Sequence, residues 1–253
     1  MITIVAPAKT MNYQPILIAN VLSTPHKFVK ETQELVSLLQ NITLEEIMSL
    51  MNVSEDIAQR TYCYFSQFNY TFQIKQAIFA YDGTVYQQLS RDFYSIDNQK
   101  FANDHVRIIS GLYGLLNPFD MIKPYRLEMS TKLLNSKGNY LYSFWCDIVT
   151  NQLNCEFIDE NSKVLINLAS KEYFSVLDRK KFQFQIINVE FKEYRGNAFK
   201  IIGTTAKKLR GMMLDFIIKN HIDIPGELKY FKACGYNYNQ DLSDDNNFIF
   251  TLR

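Results

Sequence analysis

The chain has 253 residues, 47% of them hydrophobic and 21% charged, which fits an ordinary globular protein and excludes disordered and fibrous classes. Lys and Arg total 27 against 26 Asp and Glu, and this net charge of +1 argues, as a mean, against a cationic field spread over the whole surface. The four cysteines, Cys63, Cys146, Cys155 and Cys234, show neither C-x-x-C spacing nor a histidine at ligand spacing, so no metal site is expected. No motif calls for a cofactor.

Met1-Ile2-Thr3-Ile4 lacks the basic start and long apolar stretch of a signal peptide, and no run approaches the ~18 apolar residues of a membrane span. A cytoplasmic protein with free thiols and no membrane partner is expected. There is no internal repeat and no linker-like cluster of Gly and Pro, which points to one domain over 1–253.

In chain order, residues 2–6 read as a strand ending in Pro7-Ala8-Lys9-Thr10. Thr24-Pro25 reads as an N-cap with Pro at the first helical position, followed by the stripe Phe28, Leu35 and Leu39. Thr43-x-x-Glu46 is a capping box opening a helix with Ile47 and Leu50, and Ser54 with Glu55 and Asp56 starts a third helix toward Phe65. Short apolar runs at 77–81, 106–109 and 164–168 read as further strands buried on both faces. They end in Asp82-Gly83-Thr84, Ser110-Gly111-Leu112-Tyr113-Gly114 and Ala169-Ser170-Lys171, loops that gather at one sheet edge if the four strands are parallel.

Residues 142–157 form a helical pattern carrying Trp145, Ile148, Val149 and Leu153. Residues 182–202 alternate around Arg195-Gly196-Asn197, a hairpin signature. A helix from Thr204 or Thr205 carries Leu209, Met213, Phe216 and Ile217, and Phe248-Ile249-Phe250 reads as a closing strand. The expected fold is α/β, or mixed α+β: one mixed sheet, parallel at the centre and antiparallel at the flank, surrounded by helices.

Charge divided by segment is uneven. Residues 163–219 hold 12 basic and 5 acidic residues, a net +7, against −3, −1 and −2 for 1–99, 100–162 and 220–253. Lys207, Lys208 and Arg210 fall in the first turns of their helix, where the macrodipole disfavours cations and an anion is welcome. Gly211 within that helix suggests a close backbone approach. A solvated basic face is the plain alternative.

The densest constellation runs from Ser110 through Gly111, Tyr113 and Gly114 to Lys123-Pro124-Tyr125-Arg126-Leu127-Glu128. Its Gly-x-x-Gly could present backbone amides to a phosphate. Arg126 and Glu128, two apart, project to one side of an extended segment, as an anion clamp beside a general base or as a structural salt bridge. Lys9, Thr10 and Ser170 are placed to share a sheet-edge pocket with them. The candidate catalytic groups are Lys9, Tyr125, Arg126 and Glu128. The histidines, His26, His105 and His221, read as structural.

At Pro7-Ala8-Lys9-Thr10, Ser110 to Gly114, Pro124 to Met129, Phe144-Trp145, Ile166 to Ser170 and Ala206-Lys207-Lys208 with Arg210-Gly211, the sequence resembles the YaaA family of bacterial peroxide-stress proteins. The resemblance implies a cytoplasmic protein that limits hydrogen peroxide damage, is associated with lowering accessible iron, and binds DNA through a helix-hairpin-helix-like element and a positively charged cleft. It assigns the Gly-rich element to Ser110–Gly114 and the basic helix to Lys207, Lys208 and Arg210.

Three functions are therefore weighed. The first is a stress protein holding DNA, duplex or branched, through phosphates. The second is an enzyme acting on a nucleotide, nucleobase or damaged base, and the third a non-enzymatic partner-binding module.

Overall fold

The computed structural model describes residues 1–16, 20–91, 94–157 and 163–252. It begins with β1 (Ile2–Val5), buried along its whole length. The segment expected to start the first helix is instead a two-residue strand, β2 (Thr24–Pro25), and α1 (Val29–Gln40) begins four residues beyond Pro25. The Thr24 hydroxyl explains the shift: it donates to Asp120 at 2.7 Å rather than capping a helix. Pro25, with no N–H, suits a strand edge.

The capping box forms as expected at the head of α2 (Leu44–Met51), where Thr43 and Glu46 satisfy each other's backbone amides. Next come α3 (Glu55–Ser66) and β3 (Lys75–Gln76). Residues 77–81 are not the strand expected. Ala77, Ile78, Phe79 and Ala80 form a fully buried helical turn, α4 (Ala77–Ala80). A short run buried on every side carries no periodicity that separates strand from helix.

The chain continues through α5 (Ile96–His105), β4 (Val106–Ser110), β5 (Gly114–Leu116), β6 (Asp120–Ile122), α6 (Leu141–Glu156) and β7 (Val164–Asn167). It closes with α7 (Lys171–Phe174), β8 (Gln185–Arg195), β9 (Ala198–Lys200), α8 (Gly203–Lys219), β10 (Asn237–Tyr238) and β11 (Asn247–Leu252). The expected hairpin joins β8 to β9, and Gly196 and Asn197 both take the positive φ that its turn needs.

The main sheet runs β10-β11-β8-β7-β1-β4-β5, with β9 paired to β8 beyond the reach of β7. Its centre is parallel, with β1 between β4 and β7, β8 beside β7, and β11 beside β8. The antiparallel pairs are β4–β5, β10–β11 and β8–β9. The expected mixed sheet is therefore present, with a second, three-stranded sheet, β2-β6-β3, that had no counterpart in the sequence reading.

Parallel pairing carries β1 and β7 to the same edge, where their loops Ala6–Thr10 and Leu168–Ser170 meet. The loop after α4 arrives there too, although no strand delivers it.

His26 packs edge-on against the Tyr113 ring at 4.8 Å, and its buried Nδ1 has no hydrogen-bond partner among the described residues. Burial pushes its imidazole below the ordinary value of 6.5. Protonation then favours the unfolded chain, so stability is full above pH 6.5 and falls as pH drops toward the folded-state value. Denaturant titrations of His26→Phe at pH 7.5 and 5.5 are expected to show a smaller acid loss than the parent chain.

Candidate functional site

The loops at the edge of the parallel strands enclose a cavity of about 280 Å³. Its wall includes Pro7, Lys9 and Thr10 after β1, Gly83 and Thr84 after α4, Ser170 and Glu172 around the start of α7, and Lys207 and Arg210 of α8. A neighbouring cavity of about 290 Å³ shares Lys9 and Thr10 and continues over Arg60, Tyr64, Tyr125 and Arg126. Five cations, Lys9, Arg60, Arg126, Lys207 and Arg210, thus line one double cleft.

α8 is pressed onto the 84–88 segment at Gly211. A Cβ there would lie 2.2 Å from the Val85 carbonyl oxygen, so the suspected close backbone approach is real. Arg210 is half-buried beside it, and its guanidinium has no hydrogen bond or ion pair among the described residues. Burial pushes its pKa down, with Glu190 opposing, yet an Arg keeps its charge. An exposed Lys207 is on the same wall.

Lys208 is exposed and is not on the wall of either cavity, because consecutive residues of a helix point about 100° apart. α8 also begins at Gly203, which puts the three cations one to two turns in, past the part of the helix where the dipole is felt most. The cations thus lie within the first turns as expected, but in the second, where the dipole penalty is weaker.

Glu128 sits between Lys9, whose Nζ is 2.6 Å from Oε2, and Arg126, whose terminal nitrogen is 3.1 Å from Oε1. Lys9 is 59% exposed whereas Arg126 and Glu128 are about 20% exposed. The same-side projection expected of Arg126 and Glu128 is observed, with Lys9 added from the loop after β1. The Arg126 Nε is buried and has no hydrogen-bond partner among the described residues.

The Gly-x-x-Gly element is different from the one expected. It is the turn of a β-hairpin, with β4 and β5 on either side rather than helices, and Ser110 pairs with Gly114 across it. Ser110, Gly111, Tyr113 and Gly114 are all buried. The Leu112 and Tyr113 amides donate to Ser110 Oγ at 3.3 and 3.0 Å, so they are taken internally rather than offered to a phosphate.

Ser110 Oγ, already accepting twice, gives its proton to Tyr125 Oη at 2.7 Å, and Tyr125 in turn meets Tyr81 Oη at 2.6 Å. Burial pushes the Tyr125 hydroxyl up to about 12, so it stays protonated at neutral pH. Lys123 is also committed: its Nζ donates to the Phe68 carbonyl at 2.7 Å and rests 5.1 Å from the Phe68 ring. These residues build the floor under Arg126 and Glu128.

Ion pairs take up part of the positive charge of the +7 segment. Lys181 meets Asp147, Lys192 meets Glu190, Arg195 meets Glu193 and Lys219 meets Asp215. Sequence reasoning missed Arg60 and Tyr64, since α3 reads as a plain amphipathic helix and only its packing turns them toward Lys9.

Cys146, Asp147 and Asp178 offer ligand atoms within 4.8 Å of one another. Lys181 Nζ already lies 2.7 Å from Asp147 and 3.9 Å from Asp178, so an ammonium supplies the positive charge there. Burial first, then the two carboxylates, pushes the Cys146 thiol up and lowers its thiolate fraction.

Among the described residues no helix is long and apolar enough to cross a membrane. Compared with known proteins, residues 1–242 match the family described as "Peroxide stress protein YaaA". A UPF0246 protein of Crocosphaera subtropica is 41% identical over 250 residues, covering 99% of each chain. A UPF0246 protein of Shewanella baltica is 40% identical over 253 residues, covering 99% of this chain and 98% of its own. One from Francisella tularensis is 38% identical over 257 residues, covering 99% and 100%.

Gly211→Ala is expected to force α8 away from Val85 and to destabilise the chain by about 1–3 kcal/mol in urea denaturation, the range for overpacking. An unchanged midpoint would contradict the tight approach described above.

Proposed function

This chain belongs to the peroxide stress protein YaaA family, and from that premise we propose that it serves the peroxide stress response by holding DNA phosphates in its double cleft. The observation that carries the reading is Arg210: its half-buried guanidinium has no hydrogen bond or ion pair among the described residues and is poorly solvated until an anion arrives. Lys207 and Lys9 on the same wall extend that attraction to a phosphate chain. Contacts of this kind read charge rather than base sequence, and binding is expected to be little sequence-specific.

DNA held this way is shielded from oxidants generated on it, and the link to intracellular iron is proposed to be indirect. The protein is proposed to act in the cytoplasm.

Equilibrium binding to a duplex oligonucleotide over a salt series tests the reading. Affinity is expected to fall steeply with salt, and Lys207→Ala to reduce the log–log slope by about 0.9, one phosphate contact. Lys208→Ala, off the cleft wall, is expected to change the slope far less. Salt-insensitive binding, or none at low salt, defeats the proposal.

A second reading, an enzyme acting on a nucleotide, nucleobase or damaged base, is favoured by one observation. Glu128 is a half-buried carboxylate held between Lys9 and Arg126, both of which line a cavity large enough for a small ligand. On that reading Glu128→Gln abolishes turnover of the substrate while phosphate binding persists, measured by product release against binding; equal turnover defeats it.

A further inference from the structure

The cleft does not end at Arg126. Tyr64, in the wall of the 290 Å³ cavity, also lines a third hollow of about 140 Å³ with Cys63, Gln67, Thr71, Gln73 and Pro124. Thr71 and Gln73 belong to the loop between α3 and β3, which also carries Tyr70, 80% exposed, Phe72, 98% exposed, and Ile74, 49% exposed. Single exposed apolar side chains need no explanation. Three in five residues, on a loop beside a hollow that shares Tyr64 with the cationic cleft, do.

The loop is held at its base. The Tyr70 and Thr71 amides both donate to the Gln67 carbonyl at 2.9 Å, and the Gln73 amide donates to Thr71 Oγ1 at 3.2 Å. Lys123 fastens the Phe68 carbonyl beneath. The backbone is pinned while the rings of Tyr70 and Phe72 face solvent.

We infer that residues 70–72 are a stacking platform for unpaired bases, so that the DNA this protein prefers contains single-stranded segments. The inference rests on the DNA reading above and specifies its substrate. On this inference Lys9, Arg60 and Arg126 follow the backbone phosphates, and the strand then runs past Tyr64 and the hollow lined by Thr71 and Gln73 to the loop that carries the two exposed rings. Cations along a groove with aromatic faces beside it are the physical requirements for single-strand binding. In an intact duplex the base faces are already stacked on one another, and the loop has nothing to offer them.

The test uses the full chain, with fluorescence anisotropy on a short oligothymidine strand and on a hairpin duplex of equal phosphate count. Phe72→Ala is expected to weaken single-strand binding by about fivefold or more, the low end for stacking one base, and to leave duplex binding within about twofold. Phe72→Trp is expected to restore it. Folding is not at issue at a side chain that is 98% exposed.

Equal losses on both DNAs, or no loss on the single strand, overturn the inference while the DNA reading stands. Failure of the parent chain to bind either DNA overturns both. If instead a protein partner, and no nucleic acid, is lost on Phe72→Ala, the loop serves that partner and the inference is wrong.

Discussion

The candidate site hangs on one buried contact: the Trp145 indole N–H donates to the Gly111 carbonyl at 2.8 Å with its ring packed beneath the turn between β4 and β5. Both glycines are obligatory there. A Cβ at Gly114 would sit 2.5 Å from the indole, at a φ of +71° that L residues rarely adopt, and a Cβ at Gly111 would sit 2.3 Å from the Leu127 carbonyl oxygen. The turn thereby brings the Leu127 backbone directly over itself. Through Ser110 it pins Tyr125, and through Tyr125 it pins Tyr81. Arg126 and Glu128 are held by a floor that contributes no phosphate contact of its own.

The second constraint is the seat of α8. Packing of Gly211 on Val85 brings the helix close enough for Arg210 to enter the wall of a cavity built mainly from loop backbone. A charge in that position costs desolvation, and among the described residues it has no hydrogen bond or ion pair, unlike Lys181, Lys192, Arg195 and Lys219, which are all paired. The contrast separates the two kinds of positive charge in one segment. Four of the segment's twelve cations brace the hairpin, α6 and α8 through ion pairs, and Lys207 and Arg210 face the cleft.

How far the residues reveal this arrangement depends on whether the information is local. The Thr43–Glu46 capping box, the Gly196-Asn197 turn and the apolar stripe of residues 142–157 are legible because each is satisfied within a few residues of itself. Residues 77–81 are not, since an all-apolar run has no period to read. Thr24 is not, since the hydroxyl that would cap a helix finds Asp120 ninety-six residues away. Ser110, Gly111, Tyr113 and Gly114 are legible as a special backbone, but not as a buried one: a turn that feeds its amides to a phosphate and one that feeds them to its own serine are written with the same residues.

From the sequence alone came the mixed sheet, the loops after its strands, the pairing of Arg126 with Glu128, and the likeness to the peroxide stress family that the comparisons bear out. Each is carried by patterning or by residues close along the chain. Tertiary structure alone decided that Lys9 joins Glu128, that Lys207 and Arg210 face the cleft while Lys208 does not, and that Arg60 and Tyr64 extend it. It also turned a net charge of +1 into a local fact. A mean counts every cation equally, whereas burial and ion pairing act on each one where the fold puts it, and only the fold decides which of them line a cavity.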